Sequence, residues 1–174
     1  KSSAASDVYK RQNGNMDEAV EFLRKNGQAK AEKKASRIAA EGLCMVVTKD
    51  DQTAAVVEVN SETDFVAKNA TFQEFVKAVA TQAVNSDAAD MDAFMAEKWN
   101  EDASKTVSEA LVEKVAVIGE NLKIRRFEKV VAEHGCVVPY VHGGGRIGVI
   151  VDADTDVVND TVKEAVSYTH LRAH

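Results

Sequence analysis

An α+β protein, with a mainly antiparallel sheet covered by helices on one face, is the fold class that the sequence predicts. Runs of β-branched residues occur in pairs separated by short polar or glycine-rich turns, and such pairs are typical of hairpins. The stretches between these pairs carry apolar residues at helical spacing. Strands and helices show no regular βαβ alternation, which argues against a parallel sheet.

Size and composition limit the function classes. A chain of 174 residues, 45% hydrophobic and 29% charged, can bury one sizeable core. It contains no run near the roughly 20 apolar residues of a membrane span, and its first residues lack a secretory signal, so we expect a cytoplasmic protein without membrane contact. The net charge of −6 disfavours a phosphate backbone. We therefore expect a protein partner and no nucleic acid.

The two ends differ from the rest of the chain. Residues 1–12 and 167–174 have no amphipathic period and resemble translated linker or adaptor sequence. We exclude them from the predicted fold and expect them not to pack on the core, because they offer little apolar surface to offset the entropy of ordering. These tails hold four basic residues and one acidic residue, so the body is more acidic than the whole chain.

Two helices are predicted before the first strand. Residues 13–27 follow a Gly-Asn turn, place apolar residues on one face, and end at an Asn-Gly pair typical of a helix C-terminus. By pattern this helix resembles the last helix of a ubiquitin-associated-type three-helix module. Residues 28–41 are alanine-rich and basic and predict a connecting helix, whose cations form either a solvated face or a contact surface for an acidic partner. The apolar face of the first helix comprises Met16, Ala19, Val20 and Leu23.

Residues 42–166 form the predicted core domain. Its first hairpin has largely buried strands, LCMVVT and AAVVEVN, on either side of the polar turn KDDQ. A core helix follows from Asn69, and a second one, with Val107, Ala110 and Leu111 on its apolar face, stops at Gly119. The first core helix buries Phe72, Phe75, Val76, Val79 and Ala83.

The last part of the core is predicted to be strand-rich. LKIRRFEKVVAE alternates in part, and CVVPYVH pairs through a glycine run with RIGVIVDAD. A short helix over DVVNDTVKEAV ends the domain. Cys44 and Cys136 lie in apolar strand-like surroundings without metal-ligand spacing, and we expect them to be buried, reduced thiols.

The glycine run from His142 to Gly148 contains the pattern GxGxxG. A dinucleotide site needs a helix directly after the glycines, but a strand-like run follows here, so a hairpin turn is the better interpretation. The same letters match the HGGG loop of esterases, yet the chain has no G-x-S-x-G nucleophile motif. We therefore predict no cofactor and no enzyme activity. His142 itself is either structural, merely exposed, or a partner contact.

The segment SETDFV poses a question, because Phe65 and Val66 follow polar residues where a strand-like run gives way to a helix-like one. One interpretation buries Phe65 in the core. The other exposes the ring beside Asp64, where it could insert into a partner. The segment belongs to one of four blocks, which are NGNMDEAVEFLRKNGQAKAEKKASRIAAEG, VEVNSETDFVAKNATFQEF, EKVAVIGENLKIRRFE and YVHGGGRIGVIV. They occur in the order found in the translation elongation factor Ts family, which the chain resembles over residues 13–166.

The resemblance implies a guanine-nucleotide exchange factor that binds elongation factor Tu·GDP. In the family, the TDFV segment inserts between two helices of the GTPase domain and dislodges the magnesium ion that helps hold GDP. Exchange of this kind needs no catalytic side chain, so the resemblance implies a protein that is not an enzyme. The inserted segment maps to Thr63, Asp64, Phe65 and Val66, and further contacts map to Ile118, Gly119 and His142.

The resemblance also places residues 13–27 as the third helix of an N-terminal module that grips the GTPase. It places a dimerisation or C-terminal contact region beyond about Val166, through which a homodimer would form. An alternative function is a ubiquitin-associated-type protein-binding module joined to a small α+β domain. A further alternative, an enzyme that uses the glycine loop, requires that the protein bind a nucleotide by itself.

Overall fold

A computed structural model describes residues 8–10 and 15–171 of the chain. Most of the predicted first tail, 1–7 and 11–12, and the end of the second tail, 172–174, lie outside the described residues. Residues 8–10 are helical, and 167–171 continue the last helix. No helix in the described part of the chain is both long and apolar enough to cross a membrane.

The structure confirms an α+β fold with antiparallel strand pairing. In chain order the elements are α1 (Met16–Lys34), β1 (Glu41–Thr48), β2 (Thr53–Ser61), α2 (Asp64–Ala67), α3 (Ala70–Asn85), α4 (Met91–Ala96), β3 (Lys98–Trp99), β4 (Asp102–Thr106), α5 (Val107–Ile118), β5 (Lys123–Val131), β6 (Cys136–His142), β7 (Ile147–Ala153) and α6 (Asp160–Leu171).

In the part of the chain that the structure describes, the strands form three sheets rather than the single sheet that the sequence predicted. β1, β2 and β5 make a three-stranded sheet in the order β1-β2-β5, while β3 pairs with β4 and β6 pairs with β7. The prediction was wrong here because hairpin patterns identify which neighbouring strands pair, whereas the hairpins' arrangement in space depends on side-chain packing between them.

Helices cover one face of the three-stranded sheet, as predicted. Alternate residues of β1 and β2 point to this face, including Leu43, Val57 and Val59, and they pack with the buried face of α3. All five core residues predicted for α3 are buried. The second predicted core helix, α5, buries Val107 and Ala110 and stops at a left-handed Gly119.

The β6–β7 hairpin covers part of the opposite face. Gly148 of β7 lies so close that a Cβ atom built there would be 3.0 Å from Cys44 Cβ and 3.1 Å from Val56 Cγ2. Cys44 is only partly buried, against expectation, whereas Cys136 is buried, and both thiols are free. Burial and the nearby Glu58 carboxylate raise the pKa of the Cys44 thiol.

The predicted helix stop at Asn26–Gly27 is wrong, because α1 runs through both residues to Lys34. Gly27 is buried, and a Cβ atom built there would lie 3.7 Å from Val112 Cγ1 of α5, an ordinary van der Waals distance, so this glycine lies at a contact between two helices rather than at the end of one. The predicted connecting helix over 28–41 is also too long, since Ala35 caps α1 and residues 35–40 are not helical. A domain boundary at residue 27 would therefore fall inside one continuous helix.

Candidate partner-binding site

Phe65 lies in the solvent at the start of α2. Its side chain is 81% exposed, whereas Phe72, one of the buried residues of α3, is 0% exposed. The neighbouring Val66 packs against the main core instead. Of the two interpretations of this segment, the structure therefore excludes the one in which Phe65 is a core residue.

Thr63 fixes the backbone from which Phe65 projects. It is extended, with φ −125° and ψ 154°, and its hydroxyl accepts a hydrogen bond from Val66 N at 3.3 Å, so it caps α2. The helix has only four residues because Asn69 caps α3 immediately afterwards and turns the chain. We call residues 61–66 the helix entrance.

Asp64 pairs with Lys68, the residue that caps the end of its own short helix. Its carboxylate accepts a hydrogen bond from Lys68 Nζ at 2.7 Å, and its side chain is 48% exposed. This hydrogen bond and the ammonium charge lower the pKa of Asp64 below its ordinary value of 3.8. At neutral pH the site thus presents an ionised carboxylate beside an exposed aromatic ring.

Glu120 joins the helix entrance to the end of α5. One oxygen of its carboxylate accepts hydrogen bonds from Glu62 N and Thr63 N, both at 3.1 Å. The other oxygen accepts from the Thr63 hydroxyl at 2.7 Å. Since Glu120 directly follows Ile118 and Gly119, these bonds bring the two predicted segments together.

A second set of bonds runs in the reverse direction. The Glu62 carboxylate accepts from Asn121 N at 2.6 Å and lies 3.6 Å from Arg37 Nη1. Asn121 donates from its side chain to Arg37 O at 2.7 Å, and Lys34 Nζ donates to Gly119 O. The segment that follows α1 is thus tied to the same site.

His142 lies on the β6–β7 hairpin rather than in this network. Its ring is exposed, stacks on Tyr140 with centroids 5.9 Å apart, and shares a 2.8 Å hydrogen bond with the Tyr140 hydroxyl. The turn after it docks on β1, where Cys44 N donates to Gly145 O at 2.6 Å. The first residue of β1 pairs with Ser61. The glycine turn, which binds Cys44, and the helix entrance therefore both lie near the first half of β1.

The glycine turn, residues 142–148, is a hairpin as predicted, with β7 and not a helix following it. Gly143, Gly144 and Gly145 have positive φ, which suits a tight turn. A Cβ atom at Gly145 would lie 2.8 Å from Leu43 Cβ. Two glycines of the GxGxxG pattern, Gly145 and Gly148, thus serve close packing on β1.

Sequence reasoning missed Glu62, Glu120 and Asn121. Each is a common polar residue at an element boundary, and its role depends on a segment 57 to 59 residues away in the chain. The available signal was Glu120, an acidic residue next to the predicted helix stop at Gly119, because a carboxylate can accept hydrogen bonds from backbone N–H groups. Within the described residues no cluster of His, Cys, Asp and Glu could hold a metal ion.

Comparison with known proteins identifies relatives over most of this chain. The family model described as Elongation factor TS matches residues 62–168, which include the helix entrance except Ser61, together with α5 and the glycine turn. The elongation factors Ts of Trichlorobacter lovleyi and Clostridioides difficile are 48% and 49% identical over 153 and 152 residues, each covering 87% of this chain and 49% of the relative. That of Clostridium novyi is 47% identical over 148 residues, covering 84% and 48%. The chain spans about half the length of the curated relatives it matches.

Proposed function

The chain belongs to the elongation factor Ts family, and from this premise we propose that it is a guanine-nucleotide exchange factor for elongation factor Tu. It binds elongation factor Tu·GDP and promotes GDP release during translation elongation in the cytoplasm. The observation that carries the proposal is the exposure of Phe65 on a backbone fixed by Thr63 and Glu120. An exposed aromatic ring with no contact to maintain in its own core is free to enter a partner.

Exchange of this kind is differential binding. A protein that prefers the nucleotide-free state of a GTPase weakens nucleotide affinity by the same factor, because the two binding equilibria are linked. No bond in the substrate has to be made or broken by this chain. The proposal therefore requires a shaped, charged surface and no catalytic side chain.

The wedge comprises Thr63, Asp64, Phe65 and Val66. Phe65 separates packed side chains between two helices of the GTPase domain, and the Asp64 carboxylate disturbs the ligands of the magnesium ion that helps hold GDP. The partly exposed Ile118 and the exposed Gly119 extend this surface, because Glu120 holds them next to the wedge. His142 contacts the GTPase from the neighbouring hairpin.

The N-terminal half of α1 supports a further contact. Its apolar residues Met16, Val20, Phe22 and Leu23 are exposed by 42–62%. A last helix of a three-helix module would present such residues to its two companion helices, so the interpretation of residues 13–27 as part of that module stays a prediction.

A homodimer that forms through the region beyond about Val166 also stays a prediction. The absence of nucleic-acid and membrane partners likewise stays a prediction.

The test measures release of a fluorescent GDP analogue from elongation factor Tu by stopped flow, over a range of concentrations of the chain. We expect Phe65→Ala to lower the maximum release rate roughly thirty-fold, which corresponds to about 2 kcal/mol for a buried interface aromatic. Its thermal melting should match the parent, because the ring makes no core contact.

Val131→Ala is the control. Val131 is 57% exposed and pairs with Thr53, the first residue of β2, whereas Ser61 is the last residue of that strand. Shortening the Val131 side chain should therefore leave the rate of GDP release unchanged. If Phe65→Ala melts several degrees lower and still accelerates release as well as the parent, the wedge assignment is wrong. A parent chain that binds GDP by itself would instead favour the glycine-loop enzyme.

A further inference from the structure

Four residues form a crossed pair of carboxylate contacts beneath the wedge, and we call Glu62, Thr63, Glu120 and Asn121 the carboxylate latch. We propose that Glu120 is a positioning residue, which aims Phe65 at the GTPase by holding the helix entrance to the end of α5. The inference rests on the proposed exchange function.

Glu120 acts on the backbone rather than on the partner. Its carboxylate accepts hydrogen bonds from Glu62 N, Thr63 N and the Thr63 hydroxyl, at 3.1, 3.1 and 2.7 Å. Hydrogen bonds from backbone N–H groups to an ionised acceptor are stronger than neutral ones. Glu62 and Thr63, the two residues directly before Asp64, are thus held in place, and Thr63 keeps the extended geometry from which α2 starts.

The latch closes in both directions. Glu62 supplies its own carboxylate to Asn121 N at 2.6 Å, so each acidic side chain binds the backbone of the other's segment. The hydroxyl of Thr63 meanwhile accepts from Val66 N. A change at Glu120 therefore loosens both the helix cap and the link between the two loops.

Phe65 depends on this arrangement because its side chain is 81% exposed and is not fixed by packing in the core. The direction of the ring then follows from the backbone that carries it and from its side-chain rotamer. If the helix entrance were mobile before docking, the free energy of ordering it would be subtracted from binding. Because the helix entrance is already ordered before docking, this cost is avoided, and the contacts of the Phe65 ring contribute fully to the binding free energy of the nucleotide-free complex.

A matched control lies at the other end of α5. The Glu109 carboxylate also accepts a hydrogen bond from a threonine backbone, from Thr106 N at 2.9 Å, and this bond completes the capping box of α5. Eleven residues separate it from Glu120, roughly 16 Å along a helix. The Glu109 carboxylate also pairs with Arg24 Nη1 of α1 at 2.7 Å. Glu109→Ala should therefore lower thermal stability, through the lost capping box and this lost pair, without altering the wedge.

The experiment measures GDP release from elongation factor Tu with the full chain and its variants. We expect Glu120→Ala to lower the maximum rate about tenfold, or about 1.4 kcal/mol, and Glu109→Ala to leave it unchanged. Glu120→Gln, which keeps an oxygen for the two backbone amides, should recover most of the parent rate. In a Phe65→Ala background, Glu120→Ala should have almost no further effect, because a positioning residue acts only through the group it positions.

Amide hydrogen exchange gives a readout without the partner. The Glu62 and Thr63 amides should exchange faster in Glu120→Ala than in the parent and Glu109→Ala. If those amides stay protected, or if Glu120→Ala slows release equally with and without Phe65, the positioning role is overturned. An active parent whose Glu120→Ala variant is equally active overturns the latch alone, whereas an inactive parent overturns the proposed function together with it.

Discussion

The helix entrance and the glycine turn are two loops that are held in place by different kinds of contact. At the helix entrance, side chains from distant segments bind the backbone, and Phe65 is left 81% exposed. At the glycine turn, the backbone itself packs on β1, and Gly145 is buried where a side chain would collide with Leu43. A loop held by polar contacts to its backbone keeps its apolar side chain for recognition. In a loop held by close approach of its backbone, the glycines serve packing within the fold and present no side chain to a partner.

The largest expected effect breaks the glycine turn. Gly145→Ala places a Cβ atom 2.8 Å from Leu43 Cβ and 3.2 Å from Cys44 O, at a φ of +96°. We expect a loss of about 3 kcal/mol of unfolding free energy from overpacking and backbone strain together, measured by urea denaturation. Gly144→Ala is the control, because it also has positive φ but nothing within 4 Å, and should lose only about 1 kcal/mol. Equal losses for the two variants would show that packing on β1 does not matter.

The second prediction compares the two regions as partner contacts. Asp64→Ala should slow GDP release about tenfold, or about 1.4 kcal/mol, because an ionised carboxylate is lost beside the wedge. His142→Ala should slow it less, since the exposed ring lies on the neighbouring hairpin. His142→Ala should melt like the parent, and Asp64→Ala, which also loses its exposed pair with Lys68, should melt only slightly lower. A larger effect for His142→Ala would move the centre of recognition to the glycine turn and contradict the contrast drawn above.

The third prediction concerns the cap of α2. Thr63→Val keeps the β-branched shape and removes the hydroxyl, so Val66 N and Glu120 each lose a partner. We expect a destabilisation of about 1 kcal/mol in thermal or urea unfolding. Thr63→Ser, which restores the hydroxyl, should recover most of that stability. A Val variant as stable as the parent would show that the hydroxyl does not hold the helix entrance, and a Ser variant as unstable as the Val variant would show that the methyl group is needed as well.

The smallest expected effect is electrostatic. Lys68→Met removes the ammonium that lowers the pKa of Asp64, so this pKa should rise toward 3.8 in a carboxyl-carbon NMR titration. Because the folded pKa is depressed, the pairing stabilises the fold above the unfolded pKa and is lost as pH falls through the folded value. Asp50 is the control, since the Gln52 backbone N–H is the main cause of its lowered pKa. An unchanged Asp64 titration would rule out the pairing with Lys68.

Local pattern was sufficient for most of the elements. The core face of α3, the stop of α5 at Gly119 and the hairpin at the glycine turn all follow from residues close together in the chain. It was misleading at Gly27, where the letters of a helix C-terminus lie inside α1. There the contact with Val112 of α5 outweighs the local preference of glycine, and no neighbouring residue in the chain signals that contact.

The sequence by itself determined the α+β class, the paired strands, the buried helix faces and the family whose TDFV segment the chain carries. The first three of these features depend on periodicity and on residue types within a few positions of one another, whereas the family was recognised from four blocks in the order that the family shows. Only the tertiary structure decided that Phe65 faces solvent, that the hairpins form separate sheets, and that Glu120 binds the backbone before the wedge. Exposure and side-chain capping across 57 residues depend on which surfaces meet after the chain has folded. No local sequence pattern predicts this contact, because a glutamate at the end of a helix can equally well lie in solvent.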